Sequence, residues 1–146
     1  MNSIHINMMA VLIAVVANFI LGWLWYGPLF GKIWGKEMGM DPNQRPPASA
    51  MMRGMIIMII GNFLMAYVFA HNIAAWGFVP DMSDISKGQN IAMSGIFTWM
   101  GFYLPSDLGG IAWERRSWKF FFINTIYHLL ALVMVAAILY CMPYKG

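Results

Sequence analysis

Four long stretches of this chain carry no acidic or basic side chain over most of their length, which is the feature that most restricts its fold. Each holds enough apolar residues for a helix to cross a bilayer, since a span needs about 20 residues. Apolar runs of this length lack the alternation of barrel strands. The sequence therefore predicts an all-α, polytopic membrane protein, one domain over residues 1–146, with four antiparallel transmembrane helices at about 6–30, 54–78, 90–113 and 120–142.

The composition favours a bilayer rather than water as the main surroundings. Only 10% of the residues are charged and 60% are hydrophobic, whereas soluble domains are about 25% charged. The nine lysines and arginines form no run that would follow a nucleic-acid backbone, so no nucleic-acid partner is expected. Cys141 is the single cysteine, which excludes an internal disulfide and a thiolate zinc site, and we expect neither a metal nor a cofactor.

The basic residues predict which way up the helices lie. Seven of the nine fall in two of the loops: Lys32, Lys36, Arg45, Arg53, Arg115, Arg116 and Lys119. By the positive-inside rule these loops are cytoplasmic, so both termini and the central loop with Asp81 and Asp84 lie outside. Lys87 and Lys145 are the two exceptions. No basic residue precedes the first apolar stretch, which is also too long for a signal peptide, so we expect it to be retained as a span.

Four polar side chains fall well inside the predicted spans: Asn18, Asn62, Asn124 and His128. Burying an unpaired amide in hydrocarbon is costly, so these side chains should face the bundle. Asn124 and His128 are four residues apart and share one helix face, with His128 near the middle of the bilayer. Two interpretations stay open. One is ordinary hydrogen bonding between helices, worth about 0.6 kcal/mol on average; the other is a proton relay or a ligand contact.

Small residues and Asn18 follow one stripe of the first span at four-residue spacing: Ala10, Ala14, Asn18 and Gly22. Such a stripe lets another helix backbone approach closely. Ala66 and Ala70 offer a matching stripe on the second span. The stripe predicts helix packing, and its partner is either another part of this chain or another subunit.

Aromatic and charged residues cluster where the spans leave the membrane on the predicted cytoplasmic side: Lys32, Trp34, Asp107, Glu114, Arg115, Arg116 and Trp118. Indole rings prefer the headgroup zone, and the basic side chains are placed to bind anionic lipid headgroups. Asp107 follows Pro105 closely. If the third helix continues to Trp113, the carboxylate needs a partner such as Lys32 or Arg116. If the helix stops at Pro105, Asp107 is an interfacial cap.

One block of the sequence is distinctive: Trp25-Tyr26-Gly27-Pro28-Leu29-Phe30-Gly31-Lys32, followed by Trp34. Further matching positions are His5, Asn7, Ala10, Trp99-Met100-Gly101-Phe102, Glu114, Trp118, Ile123-Asn124 and Tyr127. Together these residues resemble a family of small four-helix bacterial membrane proteins catalogued only as a domain of unknown function. The resemblance covers nearly the whole chain. It implies a four-helix, multi-pass protein of the bacterial inner (cytoplasmic) membrane, and it implies no activity.

Three functions from different classes fit these features. The one we favour from the sequence is a non-enzymatic helical-bundle component that self-associates or joins a larger membrane complex. The alternative is a small oligomeric transporter or channel, which requires the four intramembrane polar residues to line one cavity. A membrane enzyme acting on a lipid or quinone would need a pairing of acid and base groups, for which only Asp107, Glu114 and His128 are candidates.

Overall fold

The computed structural model describes residues 4–80 and 84–144, and within these ranges every regular element is a helix. Three helices are long and apolar enough to cross a membrane: Met8–Leu29, Ala48–Trp76 and Trp118–Cys141. The prediction of an all-helical chain with membrane-crossing helices is confirmed to this extent. Asp81 and Lys145, which entered the prediction of orientation, lie outside the described residues.

The first span begins at a side-chain cap and ends in a widened turn. Helix α1, Met8–Leu24, follows Asn7, whose side chain accepts hydrogen bonds from the first turn. A π-helical turn, Trp25–Leu29, comes next and contains Pro28. Proline lacks an N–H and crowds the carbonyl four residues earlier, so the wider turn accommodates it where the helix ends. The short helix α2, Gly31–Glu37, then follows and was not predicted.

The second span is longer as a helix than its uncharged stretch. Helix α3, Ala48–Trp76, starts after Pro47 and contains Arg53. Arginine is a good helix former, so an arginine beyond the apolar stretch continues the helix and does not end it. An uncharged stretch therefore measures hydrocarbon length and not helix length. Residues from Met51 to Ile60 are all exposed, so this half of α3 stands apart from the other helices.

The third predicted span is one continuous helical stretch in three parts. Helix α4, Lys87–Thr98, passes through a second π-helical turn, Trp99–Tyr103, into helix α5, Leu104–Glu114. Pro105 lies in the first turn of α5, where a missing N–H is tolerated. The sequence left open whether the third helix ends at Pro105 or continues to Trp113. In the structure it continues past Pro105 as far as Glu114. This stretch contains Asp107 and is not among the three candidate spans.

Helix α6, Trp118–Cys141, is the central element of the fold and contacts α1, α2, α3, α4 and α5. A buried cluster joins three of these helices and is rich in alanine and valine, so the backbones lie close together. Its members are Ala10, Val11, Ala14, Val15, Ala66, Phe69, Ala70, Leu132, Val135, Ala136 and Leu139.

Side chains at both ends connect the first span to α6. The Asn7 amide Nδ2 donates to the carbonyl oxygen of Met142 at 3.1 Å. The Trp25 indole Nε1 donates to the carbonyl oxygen of Ile123 at 3.0 Å. Consequently the start of α1 lies beside the end of α6, and the end of the first span lies beside the start of α6.

Candidate functional site

Two asparagines meet between α1 and α3. Asn18 Nδ2 donates to Asn62 Oδ1 at 2.8 Å, and the two residues are 3% and 6% exposed. Asn18 Oδ1 and Asn62 Nδ2 have no hydrogen-bond partner among the described residues. Exchanging the oxygen and nitrogen of both amides gives the same outcome, one unpaired acceptor and one unpaired donor. Buried polar atoms cost free energy until they are paired, so this pair is suited to receive a polar group.

A cavity of about 1030 Å³ between α1, α3 and α6 collects the polar residues that the sequence places inside spans: Asn18, Asn62, Asn124 and His128. Much of its remaining lining is apolar or aromatic and includes Phe19, Trp34, Met51, Met55, Met58 and Phe120. Ligand pockets typically measure about 300–1,000 Å³ and combine an apolar lining with a few polar groups. The cavity therefore has the size and the composition of a ligand site.

Asn124 is hydrogen-bonded to a tyrosine. The Tyr26 hydroxyl donates to Asn124 Oδ1 at 2.8 Å. Tyr127 packs edge-on against Tyr26 with the ring centroids 5.0 Å apart, and it also lies over Gly22, where an added Cβ would be 3.1 Å from the Tyr127 hydroxyl oxygen. Asn124 and His128 both line the cavity, as their shared helix face predicts, but they bond to different partners.

Asp107 pairs with His128. The distance from His128 Nδ1 to Asp107 Oδ2 is 2.8 Å. This carboxylate reaches the imidazole because α5 continues past Pro105 and packs against α6. The partners expected from the sequence were Lys32 or Arg116, and both are engaged elsewhere or exposed: Lys32 is exposed on α2, and Arg116 contacts a neighbouring carboxylate.

The predicted interface residues surround α2 and the connection between α5 and α6. Arg116 Nε lies 3.3 Å from Glu114 Oε2, and its guanidinium lies 4.9 Å from the centroid of the Phe120 ring. Such exposed pairs contribute little stability. The remaining members are exposed: Lys32, Arg115 and Trp118.

Helix α2 is held against the rest of the chain by two side-chain contacts. The Trp34 indole meets the Tyr26 ring edge-on at 5.2 Å between centroids. The Ser117 hydroxyl donates to the Glu37 carboxylate. These contacts place Trp34 on the lining of the cavity, where it was expected only as a membrane anchor.

The small-residue stripe packs inside this chain. Ala10 and Ala14 are fully buried and belong to the same cluster as Ala66 and Ala70. Gly22 lies under the Tyr127 hydroxyl. The partner of the stripe on α1 is therefore the matching stripe on α3. Because Ala10 and Ala14 are both fully buried within this chain, neither can contact a second subunit.

Some residues that hold the helices together carry little sequence signal. Trp99 Nε1 donates to the carbonyl oxygen of Thr125 at 2.9 Å and to its hydroxyl at 3.1 Å, which fixes the second π-turn against α6. Aromatic side chains in an apolar span look the same in sequence whether they face lipid or the bundle. For the methionines of the cavity lining the sequence does hold a signal. The spacing of Met51, Met55 and Met58 places all three on one face of α3.

Comparisons with known proteins agree with the membrane assignment. The family model described as "Protein of unknown function (DUF1761)" matches residues 9–140. A UPF0591 membrane protein of Schizosaccharomyces pombe (strain 972 / ATCC 24843) is 22% identical over 126 residues, which cover 86% of this chain and 83% of the yeast protein. No solved structure matches the chain. The resemblance to a family of unknown function is thus confirmed, while the signature block and the bacterial source stay predictions. This chain is a membrane protein and belongs to the DUF1761 family.

Proposed function

We propose that this protein takes up a small molecule in its intramembrane cavity and acts as a small transporter or channel. The observation that carries the proposal is that all four intramembrane polar residues line the same cavity: Asn18, Asn62, Asn124 and His128. Polar residues inside a span are expensive, and they mark solute and proton pathways because they replace the water around the moving group. A shared cavity for these four residues is the condition that the sequence analysis set for a transporter or channel.

The proposal includes four spans in an antiparallel bundle, with the helical stretch from Lys87 to Glu114 as the third. At 1.5 Å per residue this stretch rises about 40 Å, more than the roughly 30 Å of a hydrocarbon core. The distribution of lysine and arginine supports a cytoplasmic position for residues 32–53 and 115–119, and it supports an inner (cytoplasmic) membrane with both termini on the outer side. The same basic side chains are suited to anionic lipid headgroups.

A second candidate function is a non-enzymatic bundle component that self-associates or joins a membrane complex. The exposed half of α3, Met51 to Ile60, favours it because all ten of these residues are exposed and leave apolar surface for another chain to cover. The small-residue stripe does not favour it, since Ala10 and Ala14 are buried inside this chain. A transporter of this size would itself be oligomeric, because four helices enclose a narrow path.

An enzyme is supported less well by the geometry. Asp107 and His128 form the carboxylate–imidazole pair that general bases use. Among the described residues, however, no hydroxyl or thiol is hydrogen-bonded to His128 in the position of a nucleophile. The pair is therefore better suited to moving a proton or positioning a solute.

Thiol labelling tests whether water reaches the cavity. In a Cys141→Ser background reconstituted in liposomes, we expect Asn124→Cys to react with a membrane-impermeant thiosulfonate about tenfold faster than Ile126→Cys. Only a hydrated thiol ionises readily to the reactive thiolate. Ile126 is the matched control because it lies two residues further along α6 and is exposed on the outside of the bundle. Equal rates at the two positions would contradict a hydrated pathway and favour the bundle component.

A further inference from the structure

We infer that the cavity binds a neutral, single-chain amphiphile whose head group both donates and accepts a hydrogen bond. This inference rests on the proposed function and names the ligand class of the same cavity. Three properties of the lining lead to it. They are the unpaired atoms of the asparagine pair, the pairing of the charged side chains, and the apolar wall that α3 presents.

The asparagine pair selects the hydrogen-bonding character of the head group. Asn18 and Asn62 are both more than nine-tenths buried and both line the cavity, and the pair encloses one acceptor and one donor that have no partner among the described residues. A primary carboxamide or a hydroxyl satisfies both atoms, whereas an ester or ether satisfies only the donor. A site that holds buried polar atoms rejects a ligand that leaves one of them unpaired.

The charged side chains select a neutral head group. Of the described lining residues, His128 is paired with Asp107 at 2.8 Å and Arg116 is paired with Glu114 at 3.3 Å. Both basic side chains are thus already bound to a carboxylate, and no carboxylate is among the described lining residues, so neither an anionic nor a cationic head group finds a free counter-ion there. A charged head group beside the two asparagines would therefore lose its hydration without gaining a counter-ion, which costs several kcal/mol.

The wall formed by α3 selects an alkyl chain. Met51, Met55 and Met58 line the cavity from one face of α3, and all three are about half exposed. Methionine side chains are flexible and polarisable and adapt to irregular apolar surfaces. Because this half of α3 stands apart from the other helices, an acyl chain reaches the cavity from the surrounding lipid while its head group reaches the asparagines.

Oleamide and methyl oleate test this inference, since they share one chain and differ in the donor of the head group. Titrated into the purified protein and followed by native mass spectrometry, oleamide is expected to bind about tenfold more tightly than methyl oleate, the equivalent of one well-made hydrogen bond. Oleate is expected to bind no more tightly than methyl oleate. Equal binding of oleamide and methyl oleate, tighter binding of oleate, or no binding of oleamide would each overturn the inference.

Variants assign the preference to the asparagine pair. In Asn18→Leu/Asn62→Leu we expect the tenfold preference for oleamide to fall below about twofold. Replacing both partners leaves no unpaired amide, so the double variant is expected to fold, which its melting temperature checks. Ile59→Leu, at an exposed position of α3 outside the cavity lining, is the matched control and keeps the preference. A double variant that folds and retains the full preference would contradict the assignment. Labelling of Asn124→Cys is independent of these ligands, so it still decides the proposed function if oleamide fails to bind.

Discussion

Gly95→Leu is expected to separate α4 from α6 and to destabilise the protein by about 3 kcal/mol. A Cβ at Gly95 would lie 2.7 Å from Val133 Cγ2 and 3.0 Å from Val133 Cα. The side-chain atom can move, but the backbone of the central helix cannot move without disturbing its contacts with α1 and α3. Interiors this closely packed respond to added volume by shifting whole elements.

The same substitution at Gly88 provides the control. Gly88 lies on the same helix, and a Cβ there would have no atom of the described residues within 4 Å, its own helix backbone aside. Gly88→Leu is therefore expected to change stability by less than about 1 kcal/mol, through helix propensity alone. Thermal unfolding of both variants in mild detergent, followed by size-exclusion chromatography, measures the difference. Equal melting temperatures for the two variants would show that α4 does not lie directly on α6.

His128→Leu is expected to destabilise the protein by about 2–3 kcal/mol, because it leaves the Asp107 carboxyl without its imidazole partner. The Asp107 side chain is only 14% exposed, so water replaces that partner poorly. Asp107→Leu is expected to cost less, since a neutral imidazole is easier to leave unpaired than a carboxylate. Thermal unfolding of the purified variants measures both effects.

The double variant Asp107→Leu/His128→Leu separates the pair from other effects. When both polar groups are replaced by apolar ones, most of the lost stability should return. A cost equal to the sum of the two single costs would mean that the side chains do not interact. If the double variant is stable and yet loses a proton or solute flux that the parent supports, the pair belongs to the transport pathway rather than to packing.

The long stretches without charged residues were enough to locate α1, α3 and α6, because soluble helices of this length normally carry charged side chains. It was not enough to locate helix ends. Arg53 lies outside the uncharged stretch but inside α3. Helix α2 has only seven residues and no apolar stretch of its own to reveal it.

The polar residues of the site could be named from sequence, but most of their partners could not. Burial cost alone requires Asn18 and Asn62 to face the bundle. Finding Asn62 beside Asn18, or Asp107 beside His128, depends on which helix faces meet. Helix α6 is apolar almost all round, so its sequence has no polar face that would indicate its neighbours. Only the packing of α6 against the five other helices supplies that information.

Collisions of a nitroxide at Val16 with oxygen and with a nickel chelate test the claim that α1 crosses a bilayer and holds Asn18 at mid-depth. Val16 is 59% exposed and lies two residues before Asn18. With Val16→Cys labelled in a Cys141→Ser background in lipid nanodiscs, we predict frequent collisions with oxygen and rare collisions with a water-soluble nickel chelate. Asn43→Cys, in the exposed loop before α3, should show the reverse. Nickel access at Val16 equal to that at Asn43 would contradict the claim.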